Sequence, residues 1–166
     1  MINDKQKKET TIKLYTYLFF LSLTAIFIMI YLFNNYAISD YVLLIVFSLL
    51  SAIAETFLIL LPKIGGVSVS FALTFSAILL TSPLTAALIS STGMILRCPY
   101  VDGRGRVHIF NNPLYKTVFN VSQYIINAGV AGIIYVAIAK NVNFILIFFN
   151  PIAGAAALFV YILLNT

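Results

Sequence analysis

The sequence predicts an all-α, polytopic membrane bundle of about six transmembrane segments, and three observations lead there. The 166 residues are 61% hydrophobic and 9% charged, whereas a soluble domain carries about 25% charged residues to cover its surface. Apolar runs of 20 residues or more recur between short polar stretches, and about 20 residues of helix cross a hydrocarbon core. The basic residues cluster beside those runs instead of along a polar face. That distribution suits the positive-inside rule and argues against nucleic acid as a partner, despite the net charge of +5.

Residues 1–13 are polar, with Lys5, Lys7, Lys8 and Lys13 against Asp4 and Glu9, and read as a cytoplasmic lead-in. The remainder, 14–166, reads as one membrane domain. The 14–33 run is free of charge and has Tyr15, Tyr17 and Tyr31 near its ends, where aromatic rings favour the headgroup level. It is too long for a signal peptide's apolar region and has no small-x-small cleavage site. Segment 41–61 contains one carboxylate, Glu55. A carboxylate costs ~2.5–3.5 kcal/mol at the centre of a lipid-facing helix, so Glu55 requires a protein partner or water.

Pro62 and the Gly65-Gly66 pair then break the helix. The alternating stretch 67–71 reads as a brief strand or as a helix entry with Ser68 or Ser70 as N-cap. The 71–96 stretch is interrupted at Ser82-Pro83. One kinked helix would fit it, but two short helices, 69–81 and 84–97, agree better with charge: a single span would put the basic 97–116 loop outside. Each would be only ~20 Å long, and short segments of this kind persist where protein or a water-filled cavity covers their turn.

The 97–116 loop has turn signals at Asp102-Gly103 and Gly105. Its GRGR run suggests either phosphate binding or a topology-setting contact with anionic lipid; the lysine and Ser/Thr of a P-loop are missing. Cys98 is the single cysteine and His108 the single histidine, which leaves no intrachain disulfide and no Cys/His metal spacing. Segment 115–139 carries Asn120, Gln123 and Asn127 at i, i+3 and i+7, on one face. The last segment, 144–166, is broken at Asn150-Pro151. With both ends in the cytoplasm, nine of the ten basic residues lie on that side, Lys140 excepted.

The candidate site is an intramembrane polar cluster of Glu55, Asn120, Gln123, Asn127, Thr74 and Ser76. Depth counted along the helices brings Glu55 level with Asn120 and Gln123, whose amides are its expected partners. Such a cluster serves either as a ligand or proton site or as interhelical glue worth ~0.6 kcal/mol per hydrogen bond. With no second acid, metal-binding histidine or activated nucleophile in the spans, no enzymatic activity is expected. Nor is any cofactor or metal. The expected partners are the lipid bilayer, a small-molecule ligand and a second copy of the chain.

The stretch from Glu55 through Pro62-Lys63 and Gly66-Val67-Ser68-Val69-Ser70-Phe71-Ala72, followed by Ala77-Ile78-Leu79-Leu80, Pro83, Pro113-Leu114-Tyr115-Lys116 and Phe119-Asn120-Val121-Ser122-Gln123, resembles the N-terminal membrane domain of bacterial signalling proteins. Those proteins carry a C-terminal HD or HD-GYP phosphohydrolase domain, or a GGDEF domain. The resemblance covers residues 45–166 and is most specific at 119–123. It implies a sensory or anchoring membrane domain in the bacterial cytoplasmic membrane. The family has glycine where Ser82 stands, and its last helix continues into a catalytic domain. This sequence has no HD pair or GG(D/E)EF run, so no catalysis carries over, and the chain is expected to be truncated relative to that family. The architecture also resembles the substrate-binding membrane subunits of energy-coupling-factor transporters, which implies the alternative of a small-molecule-binding subunit.

Overall fold

The computed structural model describes residues 4–38, 40–57, 59–61, 65–67, 69–101, 103, 105–141 and 150–165. It is all-α, with six helices and two short hairpins among those residues. The helices are α1 (Asp4–Asn35), α2 (Tyr41–Thr56), α3 (Ser70–Leu80), α4 (Pro83–Leu96), α5 (Leu114–Asn141) and α6 (Pro151–Asn165). Strands β1 (Ile59–Leu61) and β2 (Gly65–Val67) pair antiparallel with Leu60 opposite Gly66. Strands β3 (Tyr100–Val101) and β4 (Gly105–Arg106) form a second hairpin. Its turn uses positive φ at Gly103 (78°) and Gly105 (73°), a region open to glycine because it has no Cβ.

Two helical stretches, Thr10–Asn35 and Leu114–Ala139, are long and apolar enough to cross a membrane. The helix of α1 begins at Asp4, so the polar lead-in joins it instead of preceding it. The expected segment 41–61 divides differently: α2 ends at Thr56, and 59–61 is a strand. Phe57 leaves the helical region (φ −92°, ψ 62°), and pairing with β2 supplies backbone partners that a further helical turn would otherwise supply. The 16-residue α2 is thus ~24 Å long, and Glu55 sits in its last turn. Residues 142–149, the start of the expected last segment, lie outside the described residues, as do Asp102 and Arg104 of the basic loop.

Local chemistry sets the helix starts. Asp40 caps α2, its carboxylate accepting from the Val42 and Leu43 amides at 2.7 and 3.2 Å. Ser82 caps α4, accepting from the Thr85 amide at 3.2 Å, and Pro83 stands in the first turn, where its missing N–H costs nothing. Asn150 caps α6 through the Ile152 and Ala153 amides at 3.1 and 3.0 Å. For α3 the expectation of a serine cap fails: the residue before the helix is Val69, without a side-chain cap, and Ser68 lies outside the described residues.

The break at Ser82 makes α3 and α4 a hairpin. Its tip reaches the α1–α2 turn, where Ser82 Oγ donates to the Ala37 carbonyl at 2.7 Å. At its base, Ser70 and Arg97 both return to Glu55. Helices α4 and α5 form the centre; α2 and α3 pack on α4, and α1 and α6 on α5. The α1 and α5 helices run side by side in the same direction, with Tyr17 against Phe119 and Ile28 and Leu32 against Gly129.

Small residues permit this closeness. Nearly all of α4 from Pro83 to Met94 is buried. One core cluster joins Ala77, Ile78, Ala86, Ile89, Ala131, Ala157 and Tyr161; another joins Leu32, Leu84, Ala87 and Ala128. A Cβ on Gly132 would stand 2.9 Å from Pro83 Cα, and one on Gly93 only 2.2 Å from Ser51 Oγ. Small residues at these contacts let the helix backbones approach closely.

Candidate functional site

Glu55 is 1% exposed, and its carboxylate is held from three other parts of the chain. The Ser70 hydroxyl, from the first turn of α3, and the Tyr124 hydroxyl, from α5, both donate to Oε1. Arg97, the first residue beyond α4, places Nη1 3.3 Å from Oε2. The Arg97 side chain remains 22% exposed, whereas Glu55 is enclosed. Tyr161 of α6, 4% exposed, lies within electrostatic reach of both Glu55 and Tyr124. Next to Glu55, Thr56 Oγ1 accepts from the Cys98 amide at 3.0 Å, which ties the exit of α4 to the end of α2.

A buried charge is tolerated when it is paired and its lone pairs are occupied. Here four helices meet that requirement. The carboxylate comes from α2, one hydroxyl from α3, one from α5, and the guanidinium from the exit of α4. The hydroxyls are neutral donors, so among the described residues Arg97 is the cation that balances the carboxylate, and the hydroxyls fix its orientation.

The described hydrogen bonds to Glu55 therefore come from two hydroxyls and a guanidinium, not from the amides of Asn120 or Gln123. Helix α5 does supply a partner, but through Tyr124, one residue beyond Gln123. Rotation about α5 explains the difference: Asn120 is half-buried and faces α1, where it lines a groove with Leu14, Leu18 and Phe119. Asn127 is buried at 2% exposure. Gln123 and Asn127 each make interactions of their own. Thr74 is fully buried beside Tyr161, and Ser76 is half-buried.

Three participants were legible only in retrospect. Arg97 reads in sequence as a topology-setting cation, Ser70 as a helix cap, and Tyr124 as one aromatic residue among many. The usable signal was the requirement itself: a buried carboxylate needs a cation, and Arg97 is the basic residue that directly follows an apolar helix. Among the described residues no three His, Cys, Asp or Glu side chains gather to hold a metal. The arrangement is chemically an ion pair with hydroxyl support.

No family model, curated protein or solved structure matches the chain.

Proposed function

We propose that the chain is the membrane-embedded sensory and anchoring domain of a bacterial signalling protein, crossing the cytoplasmic membrane several times with both ends inside. The single observation that carries this reading is the enclosed Glu55 carboxylate, bonded at once to α3, α5 and the residue after α4. Packed interfaces switch between discrete arrangements instead of deforming continuously, so a node of this kind suits a two-state element, closed or broken. A ligand or membrane stress that shifts one helix would break it and release the others, α6 included through Tyr161. The node lies at the end of the bundle that also carries Arg97, Arg106 and Lys116, the end that the positive-inside rule assigns to the cytoplasm. Protein groups fill the polar centre, which favours a coupling element over a substrate cavity at that place.

Single-cysteine labelling tests the topology. In a Cys98→Ser background, Ala37→Cys should react with a membrane-impermeant maleimide in intact cells, and Arg106→Cys only after permeabilisation; the reverse pattern overturns the arrangement. The mass of the native product tests the role. A product well above 18.4 kDa that contains a signalling domain supports it. A product near that mass that co-purifies with an ATPase and a coupling protein would instead make the chain the small-molecule-binding subunit of an energy-coupling-factor-type transporter.

A further inference from the structure

The apolar faces that the helices turn outward differ in length. On α1, exposed apolar side chains run from Ile12 to Phe33, ~32 Å along the axis, which matches a hydrocarbon core of ~30 Å. On α2 they run from Tyr41 to Phe57, ~24 Å, and on α3 from Phe71 to Leu80, ~14 Å. Beyond Phe57 the chain does not extend the apolar face as helix, because Leu60 pairs with Gly66 in a two-stranded hairpin. Such a sheet has two open edges, and hydrocarbon cannot cover unpaired backbone groups. On this side of the bundle the hydrocarbon therefore ends near Phe57, within one turn of Glu55.

We propose that the Glu55 node registers bilayer thickness, with the inner end of α2 as the moving part. Residues 41–61 satisfy two structures. In the first, α2 stops at Thr56 and 59–61 pairs with 65–67. In the second, α2 continues to Leu61 and becomes ~30 Å long, the span of an ordinary bilayer. Ile59, Leu60 and Leu61 are apolar and suit that helix, Pro62 ends it, and Lys63 stands at its cytoplasmic end. A helix shorter than the hydrocarbon is matched by thinning the bilayer, at a cost that rises with each Å. A thicker bilayer thus favours the long form, which keeps its backbone bonds inside the segment. Lengthening α2 separates 59–61 from 65–67. Val67 stands three residues before Ser70, whose hydroxyl donates to Glu55, so loss of the hairpin removes the support that places Ser70 in the node. Thin bilayers hold the node closed and thick ones open it. Thickness as the stimulus rests on the sensory reading above; the change in α2 rests only on α2 lying in the membrane.

The test uses the full chain in nanodiscs of phosphatidylcholines whose hydrocarbon thickness rises from about 24 to about 34 Å. In a Cys98→Ser background, Leu60→Cys with Gly66→Cys sets two thiols at directly opposed strand positions, within disulfide range. Oxidation should cross-link them readily in the thinnest discs and about tenfold more slowly in the thickest. Leu60→Cys alone gives a second reading that needs no cross-link. A membrane-impermeant maleimide should label it quickly in thin discs and slowly in thick ones, where the longer helix carries it out of water. Adding Ser70→Ala should move both transitions to thinner bilayers, because the bond that ties the start of α3 to Glu55 is gone. Cross-linking and labelling independent of thickness would overturn the proposal. So would a midpoint unmoved by Ser70→Ala, which would separate α2 from the node. Either failure, with a native product well above 18.4 kDa that contains a signalling domain, leaves the sensory reading standing. A native product near that mass with thickness-dependent labelling removes the sensory reading and keeps the change in α2.

Discussion

Removing Arg97 should be the most costly single change to the node. At 3.3 Å and an effective dielectric near 20, the pair attracts by about 5 kcal/mol. Desolvation offsets part of this, less for Arg97, which keeps 22% of its side chain exposed, than for Glu55. Arg97→Gln strands a carboxylate that is 1% exposed with two neutral hydroxyls, and removing one member of a buried pair costs about 3–5 kcal/mol. We expect a loss of ~3 kcal/mol for Arg97→Gln. Glu55→Gln should cost somewhat less, because a neutral amide still accepts from Ser70 and Tyr124 while Arg97 can turn to water. The double variant should lose clearly less than the sum, with a coupling of ~1–3 kcal/mol. Reversible unfolding of the purified protein in mixed micelles, followed for the four members of the cycle, measures this. Additivity within ~0.5 kcal/mol would refute the ion pair as a structural element.

Tyr124→Phe should cost about 1.5–3 kcal/mol in the same assay, as it deletes a hydrogen bond to a charged group; an effect below ~0.5 kcal/mol would mean that the tyrosine merely packs. Gly93→Ala sets a methyl 2.2 Å from Ser51 Oγ and 2.6 Å from its Cβ, so a loss of about 1–3 kcal/mol is expected. Adding Ser51→Gly should recover most of it in unfolding measurements, whereas no recovery would place the strain elsewhere. Ser51→Ala alone should be neutral or stabilising, since Ser51 Oγ is buried without a hydrogen-bond partner among the described residues and its removal there costs no hydrogen bond. Ser82→Ala should lower stability by about 1–2 kcal/mol, as the hydroxyl both caps α4 and anchors the hairpin tip to Ala37; a thermal midpoint equal to wild type would exclude that double role.

Where the polar signal was punctuated, sequence was informative. Ser82-Pro83 pairs a cap with a residue that cannot continue a preceding helix, and the chain turns there into α4. The same holds for Gly103 and Gly105, where positive φ serves the β3–β4 turn. It was less informative where two structures satisfy the same hydropathy. The apolar run 41–61 suits a long span as well as a 16-residue helix followed by a strand, and only the pairing with 65–67 distinguishes them. Likewise Asn120, Gln123 and Asn127 share a face by spacing, but spacing alone does not say which neighbour that face meets.

The sequence by itself determined the all-α class, with stretches apolar and long enough to cross a membrane, and the existence of a problem at Glu55. Both follow from local quantities: transfer free energies summed over apolar runs, and the penalty for a carboxylate among them. The tertiary structure alone decided the solution. The partners of Glu55 lie 15, 42 and 69 residues away, and their meeting depends on the length of α2, the return of the α3–α4 hairpin and the rotation of α5. Those are packing outcomes, set by where Gly93, Gly129 and Gly132 let helices approach, and no window of sequence contains them.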